Sequence, residues 1–66
     1  MCLGKAFVEN KSNELNPVME NVSQIVQEDG LLILTSLFGD KYSVSGEVKQ
    51  IDFNNSKIII KENAVN

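Results

Sequence analysis

Ile25-Val26-Gln27-Glu28-Asp29-Gly30-Leu31-Leu32-Ile33-Leu34 reads as two apolar strands folded back on each other. The hinge is Asp29-Gly30, a pair that readily adopts the positive φ angles of a two-residue hairpin turn. Upstream the pattern is ambiguous. Asn16 could cap a helix, Pro17 could take its first position, and Met19, Val22, Ile25 and Val26 recur at helical spacing, which allows a short helical turn near 17–22. Asn21, Val22, Ser23, Ile25 and Val26 are indifferent helix formers, so the preferred reading is a turn around Met19 to Val22 followed by a strand.

Downstream of Leu31 to Ser36, Phe38-Gly39-Asp40-Lys41 supplies turn residues. A long segment then runs from Tyr42 to Phe53, with Tyr42, Val44, Gly46 and Val48 on one side. Ile51 and Phe53 have the opposite parity from Val48, so one buried face requires a bulge or sharp bend between them. Asn54-Asn55-Ser56 forms the last turn, and Lys57 to Lys61 makes the last strand. At the other end Cys2, Gly4, Ala6 and Val8 alternate with Leu3, Lys5, Phe7 and Glu9, a strand with small residues on one side, before a polar loop from Glu9 to Asn16. Five short strands with tight links predict an all-β fold, a small five-stranded SH3-like or Sm-like barrel, occupying residues 1–66 as a single domain.

A chain of 66 residues buries only about 60% of the surface its unfolded form exposes, and one cysteine offers no internal disulfide. Oligomerisation is the expected remedy. A lone thiol, no apolar stretch of membrane-spanning length and no leader-like run in Met-Cys-Leu-Gly-Lys-Ala point to a cytoplasmic protein without a membrane partner. The formal charge is −3, with no arginine, and the lysines at 5, 11, 41, 49, 57 and 61 are spread among acids. Nucleic acid is therefore an unfavourable partner.

With no histidine, no arginine and no tryptophan, the familiar nucleophile-histidine pairs, histidine-containing zinc sites and guanidinium clamps are all missing, and the reading is not an enzyme. The carboxylate pairs Glu28-Asp29 and Asp40 with Glu47 read as solvated turn residues, and the isolated glycines 4, 30, 39 and 46 as structural. Cys2 is different. Removal of Met1 leaves an amine and a thiol on one carbon, a five-membered chelate for a soft or borderline metal, with the backbone amide of Leu3 as a third donor if deprotonated. An isolated cysteine at a strand start is also a plain small hydrophobe. Two such termini converging in a two-fold homodimer would offer two sulfurs and two nitrogens, a set that a d8 ion such as nickel(II) takes in a plane, whereas zinc wants a tetrahedron and copper remains a competitor.

The opening Met1-Cys2-Leu3-Gly4-Lys5-Ala6, the Val22 to Val26 segment leading into Asp29-Gly30, the Leu37-Phe38-Gly39-Asp40 turn and Val48 through Ile51-Asp52-Phe53 resemble the small nickel-binding CooT family. The resemblance runs nearly end to end. It implies a compact β-rich homodimer holding one nickel(II) between protomers through Cys2, an accessory that helps deliver the ion to an apo nickel enzyme such as carbon monoxide dehydrogenase. The chain lacks the His-rich tract of a metal store, which suits a shuttle better than a reservoir. The alternatives are an Sm-like or OB-like RNA-binding module, and a plain dimerisation scaffold pairing through an exposed sheet edge.

Overall fold

The computed structural model describes residues 3–63. They form five strands and no helix: β1 (Gly4–Glu9), β2 (Leu15–Glu28), β3 (Leu31–Ser36), β4 (Lys41–Asp52) and β5 (Lys57–Glu62). The strands close into a barrel in the order β1-β2-β3-β4-β5. Each chain neighbour pairs antiparallel, and β1 closes on β5 in parallel. This is the SH3-like barrel the strand pattern predicts.

The hairpin behaves as its sequence requires. Asp29 and Gly30 both take positive φ, 52° and 77°, and Glu28 pairs with Leu31 across the turn. This is the two-residue turn whose twist matches that of the flanking strands. The next connection is held by a side chain: the buried Ser36 hydroxyl accepts hydrogen bonds from the amides of Phe38 and Asp40, both at 3.1 Å.

Residues 17–22 are strand, which corrects the helical turn considered for that stretch. The helical spacing has another cause. Met19 pairs with Ala6 and Val22 with Gly4, three residues on β2 against two on β1, and Val22 to Ile25 likewise spans Ser36 to Leu34 on β3. Two bulges thus re-phase a period-2 strand so that its inward residues fall three apart. Asn21, at φ 55°, makes one of these kinks, and its carbonyl accepts the Leu37 amide at 2.8 Å. Pro17 sits beside a further slip in the β1–β2 register, where its missing N–H is tolerated. The strand therefore begins at Leu15, well before the expected position.

The phase slip foreseen in β4 lies between Val48 and Gln50, and it returns Ile51 to the side of its partner Ile58. β4 also changes partners: Ser45 pairs with Leu31 of β3, and Gly46 with Glu62 of β5. A Cβ at Gly46 would run into the Lys61 carbonyl, so glycine alone permits the strands to meet this closely. Inside the barrel lie Ala6, Val8, Val22, Leu32, Leu34, Val44, Ile58 and Ile60, with Val18, Met19, Ile25 and Val48 packed at the margins. No described helix is long and apolar enough to cross a membrane.

Candidate functional site

Cys2, the candidate ligand, lies outside the described residues; Leu3, the candidate third donor, is partly buried immediately ahead of β1. The first ladder pair is Gly4 with Val22, and the Lys5 amide donates to the Ser56 carbonyl at 2.8 Å. The start of β1 is thereby clamped between β2 and the β4–β5 turn.

That turn is built by Asp52. Its Oδ1 accepts the amides of Asn54 and Asn55 at 3.0 and 3.1 Å, and its Oδ2 accepts the Asn55 side-chain amide at 2.8 Å. The Asn55 side chain first, then the Asn55 and Asn54 backbone amides and the charge of Lys57, hold the Asp52 carboxyl below its ordinary value of 3.8, with desolvation opposing them. The organised turn lifts Phe53 into solvent, where it is 85% exposed, next to the 46% exposed Ile51. Ile51 and Phe53, two positions apart, thus present an exposed apolar edge at this end of the barrel.

Beneath them lies an apolar groove of about 280 Å³, floored by Gly4, Val22, Ile25 and Ile58 and bounded by Ile51 and Phe53. Gly4, the first residue of β1, lines this groove, and Cys2 stands two positions earlier in the sequence. Among the described residues no three His, Cys, Asp or Glu side chains gather as a metal-binding group, so the metal reading rests on Cys2. The carboxylates considered as pairs belong to connections and strands: Glu28 ends β2 and Asp29 begins the hairpin turn, while Asp40 precedes β4 and Glu47 lies seven residues further on within it.

The structure changes the picture of the lysines. Parallel pairing of β1 with β5 sets Lys5 directly beside Lys57, and both ammonium groups lie over the Phe7 ring, at 5.5 and 5.4 Å from its centroid. Lys49 reaches across to Glu9 on β1, its Nζ donating to both carboxylate oxygens at 2.9 and 3.0 Å. With Lys61, which pairs with Glu9 across the same two strands, four lysines that look dispersed in the chain share one outer face. The available signal was the matched pattern of Lys5-Ala6-Phe7-Val8 and Lys57-Ile58-Ile59-Ile60, informative only once the first and last strands are known to pair in parallel.

The five-stranded barrel is a small all-β domain of the SH3-like type. A family model described as CO dehydrogenase accessory protein CooT matches residues 1–61, and the chain belongs to that family. Its role accordingly lies in the maturation of CO dehydrogenase, as an accessory protein. An uncharacterized protein of Methanocaldococcus jannaschii is 43% identical over 44 residues, which cover 67% of this chain and 77% of that protein. The crystal structure of a protein assigned as CooT from Carboxydothermus hydrogenoformans superposes with a TM-score of 0.85 over 96% of this chain and 100% of that one. At 19% identity that likeness concerns the fold.

Proposed function

We propose that this chain binds nickel(II) through Cys2 and helps supply the ion to a carbon monoxide dehydrogenase. The observation that carries the reading is the family match over residues 1–61, which includes the Met1-Cys2 start. After removal of Met1, Cys2 presents a thiolate and an amine as a chelate, and the Leu3 amide is within reach of the same ion. Two copies supply the two sulfurs and two nitrogens that suit nickel(II), giving one ion per homodimer. The groove beside Gly4, with Ile51 and Phe53 exposed at its edge, is an apolar surface on which a second copy can seat while its first strand lies near. A lone thiol remains reduced in the cytoplasm, where such a carrier would work.

Titrating the Met1-free protein with nickel(II) tests this directly. A thiolate-to-metal charge-transfer band grows and saturates at one ion per two chains, and Cys2→Ser abolishes it. Undiminished binding by the Ser variant would falsify the site.

A further inference from the structure

The outer face of β1, β5 and β4 is a small ordered grid, because the register fixes its rows. Lys5, Lys57 and Asp52 form the first, Phe7, Ile59 and Gln50 the second, and Glu9, Lys61 and Glu47 the third. Phe7 and Ile59 are half-buried, forming a flat apolar floor between the charged rows. With Lys49 included, four of the six lysines stand here against three acids, one of which is already bound by Lys49. The remainder of the chain carries Lys11 and Lys41 against six acids. An acidic protein therefore keeps one face that is weakly positive.

The pair Lys5 and Lys57 is the telling feature. Like charges placed directly opposite each other across two strands cost stability, and an attractive alternative at either position would be any neutral residue. Among the described residues neither ammonium has a carboxylate within 4 Å; the only ion pair is Lys49 with Glu9. What holds them is the ring of Phe7, which draws both cations over one apolar surface and leaves their outward donors unspent.

We infer that this face is a docking surface for an acidic segment of a partner protein, whose carboxylates bridge Lys5 and Lys57 while its apolar side chains rest on Phe7 and Ile59. A polyphosphate strand fits less well. It needs several neutralised phosphates in succession, whereas Asp52, Glu9 and Glu47 interrupt the lysines in both directions. Complementary charge of this kind steers encounter and fixes orientation. None of the contacts invoked here involves Cys2, so either reading can fail without the other.

The test is a ¹H-¹⁵N titration of the full chain with a capped hexaglutamate peptide, with a Gly-Ser peptide and hexauridylate as comparisons. Amide shifts should cluster at Lys5 to Phe7 and Lys57 to Ile59. Raising salt from about 0.1 M to about 1 M, which shortens the Debye length from about 10 Å to about 3 Å, should weaken binding. Lys5→Gln with Lys57→Gln should weaken it about tenfold, while Lys11→Gln with Lys41→Gln leaves it unchanged. The nickel(II) charge-transfer band should be the same in every variant. Shifts scattered over the chain, equal affinity in the Lys5/Lys57 variant, or tighter binding of hexauridylate than of hexaglutamate would overturn the proposal. Circular dichroism confirms folding; should the double variant unfold, Lys5→Gln alone gives the same comparison.

Discussion

Replacing Gly46 by alanine probes the point where β4 passes from one partner strand to the other. A Cβ there meets backbone on the facing strand: the Lys61 carbonyl oxygen, Glu62 Cα at 3.1 Å and the Lys61 carbonyl carbon at 3.2 Å. The oxygen would have to retreat by roughly 1 Å, more than a ladder hydrogen bond tolerates. The position cannot slide away either. The Gly46 amide donates to Gly30 at 3.3 Å, and the Asn63 amide to Ser45 at 2.9 Å. Losing two such bonds at about 1 kcal/mol each, with a buried group left unpaired at about 1–3 kcal/mol, gives a cost of about 3–5 kcal/mol. A chain of this length at about 0.05–0.15 kcal/mol per residue holds about 3–10 kcal/mol in all. Gly46→Ala should therefore lose about a third or more of the chain's stability in urea denaturation followed by circular dichroism, and all of it if the total lies at the low end of that range. Gly30→Ala is the matched comparison: nothing lies within 4 Å of its Cβ, and only the positive φ of 77° is at stake, about 1 kcal/mol. A loss below about 1 kcal/mol for Gly46→Ala would refute the argument that backbone contact, not torsion, selects glycine there.

Leu34→Ala removes a side chain with no exposure at the barrel centre and should cost about 2–5 kcal/mol by the same assay; a cost under about 1 kcal/mol would mean the core refills the space. Lys49→Ala strips the buried Glu9 of its partner and should cost about 1 kcal/mol, with the difference from wild type shrinking as salt is added; Lys49 is half exposed, and an effect indifferent to salt would point to lost packing instead. Asp52→Ala removes a carboxylate whose folded pKa lies below 3.8, so the ionised form is the one the fold favours. Its contribution is complete above about pH 5, fades as pH falls through 3.8 and the lower folded value, and vanishes below both. Denaturation midpoints measured against pH should therefore converge for wild type and variant in acid; a constant offset would contradict this. Phe53→Asp should leave monomer stability within about 0.5 kcal/mol, because the ring is 85% exposed, while sedimentation shows self-association weakened; a clear loss of stability would place the ring in the core instead.

The β2–β3 hairpin was legible because Asp29-Gly30 is a local instruction, and the slip in β4 because Val48 and Ile51 have clashing parity. The first half of β2 was not legible. Two bulges convert a two-residue period into spacings of three, and a three-residue spacing in sequence is the mark of a helix. Cys2 could be named as a candidate from chemistry alone, since the proposal for it depends on its position behind Met1, and it lies outside the described residues. The Phe53 edge of the groove and the Lys5–Lys57 pair could not, because each depends on which strands end up side by side.

Parallel closure of β1 on β5 has a consequence for the life of the chain on the ribosome. Lys5 finds Lys57 only after β2, β3 and β4 have been synthesised, so the first strand has no parallel neighbour while they emerge. Sequence-distant pairing of this sort is slow to form, which makes closure a late event. The seam between β1 and β5 consequently lies open while β2, β3 and β4 emerge, and the barrel seals only once β5 has arrived.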